Sequence, residues 1–303
     1  MAAQDSEIQR IEEIAQGIRR RVLAHTLSNN GGYMSQACSS AELLATLYSS
    51  LVNLEPTRGA LVPGGFEGVP RVGGARASTG AVFHGDQAPH LDRLICSPAH
   101  YALVIYAALI ETGRLEEDGL EKFNRDGSTV EMIGAEHSPG FETTTGSLAQ
   151  AISQAGGIAL ARRIKGDTGR TWVFMSDGEF QEGQTWEALN AIAHWSLNSV
   201  RVIVDVNGAQ CDGPMESVMN IEPLAERVQA FGWDVRKIDG HDIPALLDAG
   251  KASSARPIMI LAYTDPARGL PLLQERYPAL HYLRFTGDDE RQKYQAVFEG
   301  MNA

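Results

Sequence analysis

The sequence is poor in cysteine, in long apolar runs and in net positive charge, and each deficit excludes a class of protein. Only three of its 303 residues are cysteines, namely Cys38, Cys96 and Cys211. They form no Cys-x-x-Cys pair, so we expect neither a disulfide framework nor a zinc site, and a reducing compartment fits. No apolar run is long enough to span a membrane, and the polar N-terminus lacks the apolar core of a signal peptide. These absences predict a soluble, cytoplasmic protein that does not enter a membrane.

The charge balance argues against binding to nucleic acid. The formal net charge is −12 and the sequence pI is about 5.1, whereas nucleic-acid-binding surfaces are usually basic. An anionic substrate would therefore be bound by local cations and helix N-termini. The hydrophobic content of 43% is sufficient for one large core.

Short apolar strands alternate with amphipathic helices along the chain. This alternation predicts an α/β fold, a single parallel sheet with helices on both faces. Residues 1–285 are predicted to form one domain, and residues 286–303 a C-terminal helical tail. The predicted strands are 91–96, 172–175, 200–206, 233–238 and 257–262. The predicted helices are 6–25, 41–48, 99–111, 115–123, 147–164, 179–197, 222–231 and a short one from Ile243.

Two local patterns predict helix starts. Ser6 with Gln9, and Ser39 with Glu42, have the spacing of a capping box, in which the first side chain binds a free backbone N–H group of the first turn. We therefore expect one helix to begin at Ser6 and the next just after Ser39.

Residues 57–88 are a glycine-rich insertion without helical or strand periodicity. A loop of this length inside a compact domain is uncommon and is either functional or mobile. One interpretation is a lid or a partner-binding surface, and the other is a disordered surface insertion. The polar candidates for the first interpretation are Arg58, Arg71, Arg76 and His84.

Two oxygen-bearing side chains stand where neighbouring strands are predicted to end. Asp177 follows the strand 172–175, Asn207 follows the strand 200–206, and one helix lies between them. Both could meet at the carboxyl edge of the sheet and bind Mg²⁺ together with phosphate oxygens. Gly178 would let a phosphate approach free backbone N–H groups. The alternative is an ordinary helix cap at Asp177 and an ordinary Asn-Gly turn.

The segments around this pair resemble the transketolase family, and especially its split form, in which the amino-terminal half is a separate chain. Ser176-Asp177-Gly178 with Asn207 resembles the thiamine-diphosphate motif, Gly-Asp-Gly followed downstream by Asn, with Ser176 in place of the first glycine. The resemblance covers nearly the whole chain, except residues 57–88 and the tail. Further similar segments, in matching order, are 95–102, 139–148, 182–188, 231–233 and 238–242.

The resemblance implies thiamine diphosphate and Mg²⁺ as cofactors, with Ca²⁺ or Mn²⁺ as substitutes for the metal. Asp177, Asn207 and the carbonyl of Ala209 would bind the metal. The residues implied to contact thiamine diphosphate are Gly146, Leu148, Asp177, Gly178, Glu179, Asn207 and His100. Within this set, Gly178 would meet the diphosphate, and Gly146 and Leu148 would lie near the aminopyrimidine.

The resemblance also implies four residues with catalytic roles. His100 would face the diphosphate and the substrate channel, although a histidine at a helix N-terminus is often only structural. His281 resembles a late histidine of the substrate channel. Glu182 matches a glutamate of the dimer interface, and would otherwise be a solvated residue of a helix face. Tyr33 stands where transketolases carry the histidine of a Gly-His pair, and its hydroxyl is a poorer proton shuttle near neutral pH.

The implied activity is transfer of a two-carbon ketol unit from a ketose to an aldehyde, with small sugars as substrates. In this family the glutamate that activates the aminopyrimidine comes from the pyrimidine-binding domain. We therefore expect a second subunit that carries the pyrimidine-binding and C-terminal transketolase domains, self-association to an α2β2 assembly, and no activity of this chain alone.

Several family positions have changed. The Gly-His-Pro expected before the cofactor loop is missing, and His137 is a candidate substitute; Asp265–Gly269 replaces a lysine-rich segment. These changes predict a specialised donor or acceptor. Two alternatives stay open, a component of a 2-oxo-acid decarboxylase and a degenerate subunit that binds cofactor without catalysis.

Overall fold

A computed structural model describes residues 2–68 and 79–301 of the chain. Arg71 and Arg76 of the glycine-rich insertion lie outside these residues. In the described part of this insertion, Arg58 pairs with Asp86 at 2.7 Å, and the His84 ring lies 2.8 Å from a carboxylate oxygen of Glu142.

A five-stranded sheet runs through the centre of the molecule, and all its strand pairs are parallel. This confirms the predicted fold class. The strands are β1 (Arg93–Cys96), β2 (Thr171–Ser176), β3 (Val200–Val206), β6 (Asp234–Asp239) and β7 (Ile258–Tyr263), in the order β1-β2-β3-β7-β6. A separate hairpin, β4 (Ala209–Gln210) with β5 (Gly213–Pro214), follows β3 directly.

Helices cover both faces of the sheet. They are α1 (Ala2–Asn29), α2 (Met34–Thr46), α3 (Ala102–Glu111), α4 (Gln150–Lys165), α5 (Gly183–His194), α6 (Met215–Val218), α7 (Leu224–Ala230), α8 (Ile243–Lys251) and α9 (Asp288–Gly300). Single 3₁₀ turns are Gly80–His84, Ala99–Tyr101, Glu117–Lys122, Asp177–Gln181 and Pro271–Arg276, and a π turn, Leu47–Leu51, extends α2. None of the described helices is long and apolar enough to cross a membrane.

Each central strand buries side chains on both of its faces, as the near-continuous apolar runs predict. In β2, Trp172 and Phe174 pack into one core with α1, α2, α3, α8 and α9. Val173 and Met175 point the other way and pack with α4, α5 and α7. The protein therefore has three layers, with the sheet in the middle.

The connections of the strands change faces twice along the sheet. The helix after β1 packs in the first core, whereas those after β2 and β3 pack in the second. The helices after β6 and β7 return to the first core. The connections that leave β1 and β2 therefore go to opposite faces of the sheet, and so do those that leave β3 and β7. A crevice opens at the carboxyl ends of each of these two strand pairs.

Both predicted capping boxes are wrong. Ser6 lies inside α1, and Ser39 and Glu42 lie inside α2. Ser39 instead donates to Asp205 at 2.6 Å, and Glu42 forms a buried ion pair with Arg19. Because α2 is buried along its whole length, its polar side chains are used by tertiary partners and not by the helix terminus.

The predicted helix 179–197 is also interrupted. Its first turn is the 3₁₀ segment Asp177–Gln181, and Glu182 is extended, with φ −87° and ψ 130°. A capping box does occur here, between Ser176 and Glu179. The extended Glu182 therefore separates this turn from α5, which begins at Gly183.

Candidate functional site

The crevice between β1 and β2 contains a cavity of about 390 Å³. It brings together most residues that the sequence predicted: His100, Gly146, Leu148, Asp177, Gly178, Asn207, Ala209 and His281. Lining residues that sequence reasoning missed are Ser35, Gln36, Gln181, Gln210 and Asp212. Residues distant in sequence therefore share one cavity at the edge where parallel strands end.

Asp177 stands at the base of this cavity and is only 2% exposed. Its Oδ2 accepts a hydrogen bond from the N–H of Gly208 at 2.8 Å. Burial, helped by the nearby charge of Asp205, raises the pKa of Asp177 to about 7. No described Lys, Arg or His pairs with this carboxylate, so its negative charge is buried without a cationic partner.

Asn207 is held by a second buried carboxylate, Asp205. The amide nitrogen of Asn207 donates to Asp205 Oδ2 at 3.2 Å, and its Oδ1 accepts from the N–H of Ala209 at 2.9 Å. Asp205 is fully buried, and burial raises its pKa. Its other donors are Ser39 at 2.6 Å, Tyr101 at 2.9 Å and Thr264 at 2.5 Å. These contacts fix which end of the Asn207 amide carries the oxygen.

The donor set at this point fits a divalent cation of the Mg²⁺ type. Asp177, Asn207 and the carbonyl of Ala209 offer hard oxygen atoms, and Mg²⁺ prefers such ligands together with phosphate oxygens. A Cβ at Gly178 would have Gln210 Nε2, 3.6 Å away, as its nearest neighbour, and one at Gly146 would meet nothing within 4 Å. The cavity wall is therefore open to a ligand at both glycines.

The raised pKa of Asp177 predicts pH-dependent cation binding. Below about pH 7 the cation must displace a proton from this carboxylate, so the affinity for Mn²⁺ should rise nearly tenfold per pH unit and level off above pH 7. The pKa of Asp177 is higher in the folded protein than in the unfolded chain. The cation-free fold should therefore lose stability as pH rises from the unfolded pKa towards 7. Titration with Mn²⁺ between pH 5.5 and 8.5 measures the profile; a flat profile would contradict the assignment.

Glu179, a predicted cofactor contact, does not line the cavity but joins three segments next to it. Its Oε1 accepts from the Ser97 hydroxyl and from Ala149 N–H at 2.9 Å, and its Oε2 accepts from Ser176 N–H at 2.9 Å. Ala149 has a left-handed conformation, with φ 64°, which the bond to Glu179 helps to hold. The carboxylate thus supports the loop that carries Gly146.

We expect Glu179→Ala to lower the free energy of unfolding by about 3 kcal/mol, because it leaves several buried donors without an acceptor. Denaturant unfolding measures the change. Glu187→Ala, at an exposed glutamate of α5, is the control and should stay within about 0.5 kcal/mol of the parent. Equal stability of both variants would contradict the supporting role of Glu179.

Two imidazoles line the cavity, and the phenol ring of Tyr33, which does not line it, packs beside both of them. The His100 and His281 rings lie 5.3 Å apart, and the Tyr33 ring lies 5.9 Å from His100 and 5.6 Å from His281. Burial lowers the pKa of His100 to about 3 and also lowers that of His281. Both imidazoles are therefore neutral at pH 7.

The remaining predicted residues lie elsewhere. Glu182 is exposed at the start of α5, outside the cavity. His137 lies 3.0 Å from Glu131, and its ring packs on Phe66, so it does not line the cavity. The interface role of Glu182 stays a prediction.

A larger cavity of about 1300 Å³ occupies the second crevice, between β3 and β7. Asp177 and Asn207 line this cavity as well as the smaller one. Only the smaller cavity combines them with His100, Gly146 and Leu148. We therefore place the candidate site in the β1–β2 crevice.

The three-layer fold is that of the amino-terminal part of transketolases. The chain aligns with the crystal structure of transketolase from Campylobacter jejuni with a TM-score of 0.68 and 20% identity, over 97% of this chain and 47% of that one. At this identity the likeness shows the fold alone.

Sequence comparison gives the family. Residues 85–281 match the family described as transketolase, thiamine diphosphate binding domain, so the chain belongs to the transketolase family. It is 35% identical, over 97% of both chains, to a putative uncharacterized transketolase family protein, y4mO, of Sinorhizobium fredii.

Two similar proteins are named as subunits of transketolases. One is the 6-deoxy-6-sulfo-D-fructose transketolase subunit SqwG of a Clostridium species, 29% identical over 91% of this chain and 92% of that protein. The other is a subunit of the apulose-4-phosphate transketolase of Actinobacillus succinogenes, 27% identical over 92% of both chains. By contrast, the chain spans 39% of the human transketolase-like protein 2.

Proposed function

We propose that this protein transfers a two-carbon ketol unit from a ketose to an aldehyde, as the thiamine-diphosphate-binding subunit of a two-chain transketolase. The observation that carries the proposal is the single cavity that joins Asp177 and Asn207 with His100, His281 and the Gly146 loop. Membership of the family supports the same activity.

Asp177, Asn207 and the carbonyl of Ala209 hold Mg²⁺ in this proposal, and Gly178 offers its N–H to the diphosphate. When bound, thiamine diphosphate supplies a nucleophilic carbon for cleavage of the ketose. Leu148 supplies an apolar surface beside the cofactor. In this proposal these residues bind and orient the cofactor.

The two histidines act on the sugar as neutral groups. Because burial keeps His100 and His281 uncharged at pH 7, each can donate one hydrogen bond and accept another. Such groups suit the hydroxyl and carbonyl oxygens of a ketose. Tyr33 packs beside both rings and supports their positions.

The substrate is a sugar with an anionic terminal group, since the names of two similar proteins include a sugar phosphate and a sulfonated sugar. The described residues that line the cavity include no Lys or Arg. The cation that binds the anionic end must therefore come from outside this cavity. A second subunit, with the pyrimidine-binding and C-terminal transketolase domains, would supply it in an α2β2 assembly.

The direct test is co-expression with the polypeptide of a neighbouring reading frame that carries those domains. The purified pair is assayed with Mg²⁺ and thiamine diphosphate for cleavage of anionic ketoses, using an aldehyde acceptor. We expect ketol transfer and no release of CO₂ from 2-oxo acids. Decarboxylation of a 2-oxo acid would favour the alternative enzyme class, and cofactor binding without either reaction would favour a degenerate subunit.

A further inference from the structure

We propose that Gln36 is a positioning residue that fixes the orientation and the tautomer of His281. In this arrangement His281 presents its Nε2–H group to an oxygen of the sugar in the cavity. The identity of that ligand rests on the proposed function, whereas the tautomer of the imidazole does not.

Gln36 lies in the first turn of α2 and is only 2% exposed. Its amide Nε2 lies 3.2 Å from Nδ1 of His281, a residue 245 positions further along the chain. Both residues line the cavity. A buried amide therefore contacts one specific nitrogen of an imidazole in the candidate site.

The oxygen of the Gln36 amide faces a second neighbour, Ser35. The hydroxyl of Ser35 donates to Oε1 of Gln36 at 2.9 Å. With the oxygen occupied on that side, the NH₂ group faces His281, and an amide nitrogen can only donate. In this orientation of the amide, Nδ1 of His281 is the acceptor nitrogen.

A neutral imidazole carries one proton, so an acceptor at Nδ1 places that proton on Nε2. The ring is confined by its neighbours, the Tyr33 ring at 5.6 Å with an interplanar angle of 83°, and the His100 ring at 5.3 Å. A flip of the ring would break the contact with Gln36. The result is a fixed donor on the side of His281 that faces away from Gln36.

The first test reads the tautomer by nitrogen-15 NMR of the labelled full-length chain, without any activity measurement. We expect protonation at Nε2 and a bare Nδ1 in the parent at pH 7.5. Gln36→Met, which keeps the size but removes the amide, should leave a mixture of the two tautomers. A protonated Nδ1 in the parent overturns the inference and leaves the proposed function untouched.

The second test uses Gln36→Glu in the two-subunit enzyme. A carboxylate beside Nδ1 favours a proton there and raises the pKa of His281. Below that raised pKa both ring nitrogens are protonated and Nε2–H persists; above it the proton stays on Nδ1 and the donor is lost. The variant should therefore lose kcat/KM for the ketose, about tenfold, as pH rises.

The other titratable groups that face His281 are His100, Tyr33 and Asp212. They are the same in the parent and in the Gln36→Glu variant. A new falling limb of the pH profile in the variant is therefore due to position 36. A loss that is uniform with pH would show a merely structural role and would overturn the inference.

Two further variants complete the set. Ser35→Ala frees the amide of Gln36 and should shift the tautomer in the same direction as Gln36→Met, by a smaller amount. Gln295→Met, at an exposed glutamine of α9, is the matched control and should change neither the NMR signals of His281 nor kcat/KM. A tautomer in Ser35→Ala identical to the parent, together with an unchanged Gln36→Met, would also overturn the inference.

Discussion

Asp177→Asn is expected to lower the affinity for thiamine diphosphate in the presence of Mg²⁺ by at least about 100-fold. The substitution removes a carboxylate that is 2% exposed and has no cationic partner among the described residues. Mutation of residues that only support a metal ligand already lowers metal affinity by roughly 10–100-fold. Calorimetric titration with and without Mg²⁺ measures the loss. Affinity in the absence of a divalent cation should change little.

The same variant should fold as well as the parent. The amide oxygen of asparagine can still accept the hydrogen bond from Gly208, and the buried charge whose pKa is raised to about 7 is gone. At pH 8 the melting temperature of the cation-free variant should therefore equal or exceed that of the parent. A large fall would mean that lost folding, not a lost ligand, explains the binding result.

Asp248→Asn is the matched control, since it makes the same change at an exposed position of α8. It should bind cation and cofactor like the parent. If Asp177→Asn also retained its Mg²⁺-dependent affinity, the metal site would have to be placed elsewhere, with the larger cavity as the next place to look.

Ketol transfer is expected to be at least about 1000-fold slower with this chain alone than with its partner subunit, because acid–base and electrostatic groups each contribute roughly 10²–10⁴-fold. The described lining of the cavity has no Lys or Arg for an anionic sugar. Titration of this chain with the partner, at fixed cofactor, should give saturable activity. Full activity of the isolated chain would refute the two-subunit architecture.

Glu182→Lys tests where the subunits meet. Glu182 is exposed and its side chain makes no cap hydrogen bond, so the isolated variant should keep its melting temperature. Assembly and activity of the two-subunit enzyme should fall if this end of α5 lies in an interface. Glu121→Lys, at another exposed glutamate, is the control, and equal effects of the two variants would remove the special role of Glu182.

The sequence predicted the strands, and the position of Asp177 and Asn207 at the strand ends, because both depend on local pattern. Asp177 and Asn207 each follow an apolar strand, and parallel strands end at one edge. The family segments then placed His100 and Gly146 near that edge, and His281 was proposed from its resemblance to a late histidine of the family. These residues share one cavity.

Other parts of the site have no local signature. Gln36 looks like any polar residue of a helix start, and its partner lies 245 positions away. Ser39 and Glu42 have capping-box spacing, but burial of the whole of α2 gives them tertiary partners. The face on which each strand connection packs, and hence the second crevice, depends on how all layers assemble.

Asp205 has a consequence for how the site is lost on unfolding. Its carboxylate joins side chains of α2, of the turn before α3, of the loop after β3 and of the segment after β7. Local unfolding of any one of these elements would break a hydrogen bond to Asp205. We therefore expect the site to belong to the slowest-exchanging cooperative unit of the domain. Amide hydrogen exchange around Asn207 should therefore require global opening, and cofactor affinity should disappear in the same denaturant transition as the fold.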